Sequence, residues 1–274
     1  MLSLIKIEWL KIKKYPAFWW MIGIIAITYP GVNAMFLGVY KTMTSSKDMV
    51  AQIASALLGN PFAFPEAWHS VAYFSSAFIM IPAVLVIMLI NNEYSYKTHR
   101  QNIIDGWSRT EFILSKLIDI VIISIVVTIV YTLVTIGFAA IADNTAMYRW
   151  REQLQYIPLF FLQTFAQLSL AFLAGYFIRK AFLALGVFLF YAVVIENFLV
   201  GFLEYKKINI YEYLPFEISD RLIPRPAFAA KFGTDGLAKY NALIVAIPTH
   251  IVLTILLTTI VWLICFAHNK KRDL

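Results

Sequence analysis

The chain has 274 residues, of which 61% are hydrophobic and 14% charged, with a mean hydropathy of +0.73. Soluble domains carry about 25% charged residues, so this composition excludes an ordinary water-coated globule and points to an integral membrane protein. The net charge of +7 comes from Lys and Arg scattered between apolar runs, a sign of membrane topology rather than of nucleic-acid binding.

Residues 1–16 predict an amphipathic helix lying in the membrane interface. Leu2, Ile5, Trp9 and Ile12 fall on one helical face, while Lys6, Glu8, Lys11, Lys13 and Lys14 point in other directions. Pro16 ends it by pushing the residue before it out of the α region. A leader peptide cleaved after Val32-Asn33-Ala34 is disfavoured, because the apolar run is as long as a full span. Six runs follow: Ala17 to Tyr40, Val71 to Ile90, Ile113 to Ala142, Ile157 to Ile178, Ala181 to Leu203 and Asn241 to Ala267. Runs of that length in hydrocarbon must be helices, so the fold class is all-α, with a six-helix membrane domain over 17–267. Pro30, Pro82, Pro158 and Pro248 are expected to kink or cap these helices.

An even number of spans puts both ends on one side. The polar segments on that side are 1–16, 91–116, Arg179-Lys180 and the basic tail 268–274; they hold 13 of the 23 Lys and Arg in about half the polar length. Both termini are therefore expected to be cytoplasmic, with 41–70, 143–156 and the long 204–240 as outer loops.

No motif of a soluble enzyme is present. The chain lacks a phosphate loop, an H-E-x-x-H and a G-x-S-x-G, its four histidines are dispersed, and the lone Cys265 cannot form an intrachain disulfide. No catalytic residue and no metal ligand is assigned. Glu196, with Asn197 beside it, is an acid inside a span, and His250 lies near Pro248 in the last one; together they form a candidate intramembrane polar site. The plainer reading has Glu196 orienting its helix near the outer interface and His250 bonding a neighbouring carbonyl. Asp119 is placed to form a positional salt bridge with Lys116.

The link 91–112 is longer than a simple connection requires and mixes charges with Ile103, Ile104, Trp107 and Phe112, as a docking surface does. Ser108 and Glu111 form a capping box that starts the third-span helix, and Gly106 suits the end of a short helix over about Thr98 to Asp105.

Glu93, Thr98, Arg100, then Gly106, Ser108, Arg109, Phe112 and Lys116, together with the opening Glu8-Trp9-Leu10-Lys11, resemble the permease subunits of type-2 ATP-binding-cassette exporters. This chain departs from that pattern at Lys97, where the family often has glycine, and at His99, where it often has an apolar residue. The resemblance implies an elbow helix at the N-terminus and a coupling helix within 98–109 that rides on a separate cytoplasmic ATPase subunit. It implies a second permease chain, identical or related, no cofactor in this chain, ATP and Mg on the partner, and the cytoplasmic (inner) membrane as location. The ATPase-coupling residues are then Glu93, Thr98, Arg100, Gly106, Ser108, Arg109 and Phe112.

The outer loop 204–240 interleaves aromatic with basic residues and is expected to form short helices at the outer leaflet. Apolar and aromatic spans favour amphipathic cargo: a lipid, a hydrophobic peptide or a drug. The rivals are an ion- or proton-coupled secondary transporter using Glu196 and His250, an intramembrane enzyme, and an ATPase-linked subunit that does mechanical or signalling work.

Overall fold

The computed structural model describes residues 2–44, 59–98, 101, 104, 106–230 and 236–270. Helix α1 (Leu2–Lys14) breaks at Tyr15, and α2 (Pro16–Thr44) starts on Pro16, whose missing N–H is harmless at a first helical position. Then come α3 (Ala67–Ser76), α4 (Met80–Ser95), α5 (Arg109–Ala142), α6 (Tyr156–Ile178) and α7 (Ala181–Tyr205). The short α8 (Pro215–Asp220) and α9 (Ala227–Ala230) precede the long α10 (Gly236–Lys270). No strand occurs among the described residues.

Five helices, α2, α5, α6, α7 and α10, are long and apolar enough to cross a membrane, and a sixth span results if α3 and α4 count as one bent by 49°. The bend sits at Ala77–Ile79, just before Pro82. Proline at that point cannot donate to the carbonyl of Phe78, and Ile81 takes that carbonyl in a tighter turn instead. Pro158 falls harmlessly in the first turn of α6, whereas Pro30 and Pro248 lie inside their helices. Large apolar residues such as Trp20, Ile27, Leu133, Phe182 and Leu263 stand outward, as a lipid-facing surface requires.

Helix α6 is the centre of the bundle, packed on α4, α5 and α10. Gly175 makes this possible: a Cβ there would lie 2.6 Å from Ile90 Cγ2. With little hydrophobic drive between helices in lipid, small residues and interhelical hydrogen bonds fix the packing. Asn33 Nδ2 donates to Ser75 Oγ at 3.2 Å, Tyr131 Oη–H to the Trp68 carbonyl at 2.7 Å, and Trp262 Nε1–H to Ser169 Oγ at 3.1 Å.

Candidate functional site

Two polar regions stand at opposite ends of the bundle. At the end that holds α1, the amino group of Lys116 is buried in α5 and receives three carboxylates from three elements. Glu8 of α1 lies at 3.2 Å, Glu93 near the end of α4 at 2.5 Å, and Asp119 one turn along α5 at 2.9 Å. The expected Lys116–Asp119 pair is thus present as part of a larger node. Lys11 adds a fourth contact, 2.8 Å from Glu8. Burial pushes the Glu8 carboxyl up, but the Lys116 charge and the Lys11 hydrogen bond outweigh it and hold it below the usual glutamate value. Three helices are therefore joined at one ammonium group.

This corrects the expected division of α1 into faces. Glu8 is not on a water-facing side; it is buried at 1% exposure, and Ile12 beside it packs into the core. Trp9 remains half exposed, edge-on to Phe18, while the side chains of Leu2 and Ile5 lie outside the described residues. The helix is both an interfacial helix by pattern and a bolted part of the bundle.

The segment leading into α5 follows the sequence pattern closely. Ser108 Oγ accepts from Glu111 N at 3.2 Å and Glu111 Oε2 accepts from Ser108 N at 2.7 Å, which completes the capping box. Gly106 has φ +98°, a conformation that side chains resist. Phe112 is buried, with the Lys116 ammonium over its ring, and the carbonyl of Arg109 accepts from Asn269 Nδ2 at 2.6 Å. Glu93 is in the node, and Thr98 Oγ1 reaches the Glu93 carbonyl at 3.4 Å. Thr98, Gln101 and Ile104 are helical and exposed; Arg100 and Asp105 lie outside the described residues. Lys97 has φ 56°, so the position where the resembled family often carries glycine is a left-handed one.

At the opposite end, Glu196 Oε1 accepts from the backbone N–H groups of Phe216 at 2.7 Å and Glu217 at 2.8 Å, capping α8. His250, buried in α10, interacts with the Ile218 carbonyl, which also takes Thr254 Oγ1 at 3.4 Å. These two candidates thus meet through α8, which they hold inside the bundle. Asn197 does something else: its Nδ2 donates to the carbonyls of Ala192 and Val193 at 3.0 and 3.1 Å. Residues Phe190–Ile195 are wound as a π turn, which leaves carbonyls short of donors, and Asn197 supplies one.

Segment 204–230 accordingly packs into the bundle. Phe216, Ile218, Leu222 and Ile223 are buried, and His69 Nε2 meets the Pro224 carbonyl at 2.7 Å. Beneath it opens a cavity of about 940 Å³. Sequence reasoning missed its polar floor, where Asp220 Oδ1 accepts from Gln163 Nε2 at 2.8 Å and Gln167 Nε2 at 2.7 Å. The signal available was the four-residue spacing of two glutamines on one face of an apolar span. Surrounding protein pushes the Asp220 carboxyl up to about 7, against the pull of the Gln163 amide, although the side chain opens onto the cavity.

No match was found among the curated proteins. A family described as "Protein of unknown function (DUF2705)" matches residues 24–274, nearly the whole membrane bundle described above. The chain belongs to the DUF2705 family.

Proposed function

We propose that this chain is the membrane-spanning permease subunit of an ATP-driven exporter, working with a separate cytoplasmic ATPase subunit and a second permease chain. In this reading both termini face the cytoplasm, the chain resides in the cytoplasmic membrane, and ATP and Mg are held by the partner. The cargo is amphipathic.

The observation that carries the reading is the Lys116 node. A partner that closes on ATP must push on something that does not yield. Thr98, Gln101 and Ile104, helical and exposed, precede the Gly106 turn and a fully capped α5. Eight residues beyond Ser108, about 12 Å along the helix, Lys116 locks α5 to α4 and α1. A thrust delivered at Thr98, Gln101 and Ile104 is thus shared by three helices at once. Glu196 and His250 are engaged in holding α8, which supports a structural role for them over a proton path.

The test is affinity isolation of the full chain from its native membrane in mild detergent, with mass spectrometry and an ATPase assay. Recovery of a nucleotide-hydrolysing subunit, weakened or uncoupled by Arg109→Glu, is the expected result. Recovery of the chain without any ATPase at every detergent strength overturns the reading.

A further inference from the structure

The charges around the outer cavity are mostly matched. Lys239 lies 2.7 Å from Glu204, and Arg221 lies 2.9 Å from Glu217 and 3.3 Å from Glu212. Arg225 is exposed at the wall and brings positive charge to Glu204. Asp220 is different. Among the described residues it has no cationic partner; it is held by two neutral amides, and the acids Glu217 and Glu196 act on it repulsively. Gln163 is buried at 1% exposure and lines the same cavity, yet its Oε1 has no hydrogen-bond partner among the described residues.

Asp220 opens onto the cavity with neutral amides and like charges around it, so a cation that enters can pair directly with its carboxylate. Gln163 Oε1 is left without a partner there, and no group of three or more His, Cys, Asp or Glu that could hold a metal ion occurs among the described residues, so a bare Ca or Mg ion lacks its ligand set. One part of its wall is aromatic, with Phe36, Tyr73, Phe74, Phe78, Phe216 and Tyr240, beside aliphatic residues and the paired charges named above. Ring faces attract organic cations, and a space of about 940 Å³ accommodates a ligand larger than an ion.

We propose that this cavity binds an amphipathic organic cation, with Asp220 as its counter-ion, Gln163 and Gln167 as positioning residues that aim the carboxylate, and the aromatic wall as its apolar seat. Joined to the exporter reading, the site names the cargo class as cationic amphiphiles. The geometry behind it does not depend on an ATPase partner.

The experiment uses the purified full chain alone, so a negative result here leaves partner coupling untouched, and failure to find a partner leaves the binding result standing. Tetraphenylphosphonium and tetraphenylborate share one shape and carry opposite charge. Saturable binding of the phosphonium above protein-free micelles, with borate binding at least tenfold weaker, is expected. Asp220→Asn, which keeps an oxygen for both glutamines, should weaken phosphonium binding by about tenfold or more, the scale of a lost charge-assisted contact. Equal binding of the two ions, or equal phosphonium binding by Asp220→Asn and the parent chain, overturns the proposal. Should the variant fail to fold, the comparison of the two ions on the parent chain decides alone. Displacement of the probe by phosphatidylethanolamine but not phosphatidylglycerol assigns the cation to a lipid headgroup. Displacement by neither assigns it to a free amphiphile, and displacement by both alike counts against charge selection at Asp220.

Discussion

Lys116 Nζ lies 3.2 Å from Glu8 Oε2, a contact that spans 108 residues of sequence and fastens the N-terminal helix to the third span. Removing one partner of a buried ion cluster costs about 3–5 kcal/mol, because the remaining charges stay buried without compensation. Lys116→Met is therefore expected to destabilise the chain by that order and to free α1, since Glu8, Glu93 and Asp119 then face one another. A double-mutant cycle of Lys116→Met with Glu8→Gln, read by thermal unfolding in detergent, checks the coupling. Additive losses would mean that the two residues do not act together.

Lys97 is exposed and holds φ 56°, a conformation that costs an L-residue about 1–2 kcal/mol. Lys97→Gly relieves that strain but gives the unfolded chain more freedom, so a net stabilisation of up to about 1 kcal/mol is expected. Slower hydrogen exchange at residues 96–98 is the readout. Faster exchange would show that the lysine side chain itself holds the turn.

Glu196→Ala removes the acceptor for two backbone N–H groups at the start of α8, a loss of about 1–3 kcal/mol borne locally. Trypsin should then cut faster after Arg221, while Glu196→Gln, which keeps an acceptor oxygen, should stay near the parent rate. Identical digestion of all three proteins would remove Glu196 as the anchor of α8.

The Asp220 carboxyl, raised to about 7 by the surrounding protein, sets a pH dependence for the cavity. Above pH 7 the ionised form is available and cation binding is complete; as pH falls through 7 the proton competes, and affinity should drop about tenfold per unit. Without ligand the sign reverses: the folded chain holds the Asp220 proton more tightly than the unfolded chain, so stability from this group declines as pH rises from 3.8 toward 7. The other charged groups around it are Glu217 and Arg221, the latter paired to Glu212, Glu196 and Glu204 on α7, Lys239 on α10, and Arg225. Phosphonium binding titrated between pH 5 and 9 on Asp220→Asn, which should be flat there, separates Asp220 from these neighbours.

Features written in local spacing were readable from the sequence. The six apolar runs match the helices to within a few residues at most ends, and the Ser108/Glu111 box and the Gly106 turn stand where the residue types demand them. The bend of the second span was signalled only by Pro82, because the apolar run itself continues through it. What stayed hidden depends on partners far along the chain. Periodicity places Glu8 on a polar face, and only Lys116, 108 residues away, turns that face inward. Asp220 lies in a loop by pattern and becomes the floor of a cavity because Gln163 and Gln167 reach it from α6. The π turn in α7 has no local signature; Asn197 is legible as its support only once the turn is seen.

The 49° break between α3 and α4 changes the direction in which movement travels. A straight rod passes a thrust along its own axis and delivers at one end what it receives at the other. A rod bent this far resolves an axial displacement into lengthwise and sideways parts of similar size, as a crank does. Glu93 sits on one arm, and Tyr73 and Phe74, which line the Asp220 cavity, sit on the other. A small shift along the Glu93 arm would therefore reach the cavity as a lateral displacement of Tyr73 and Phe74.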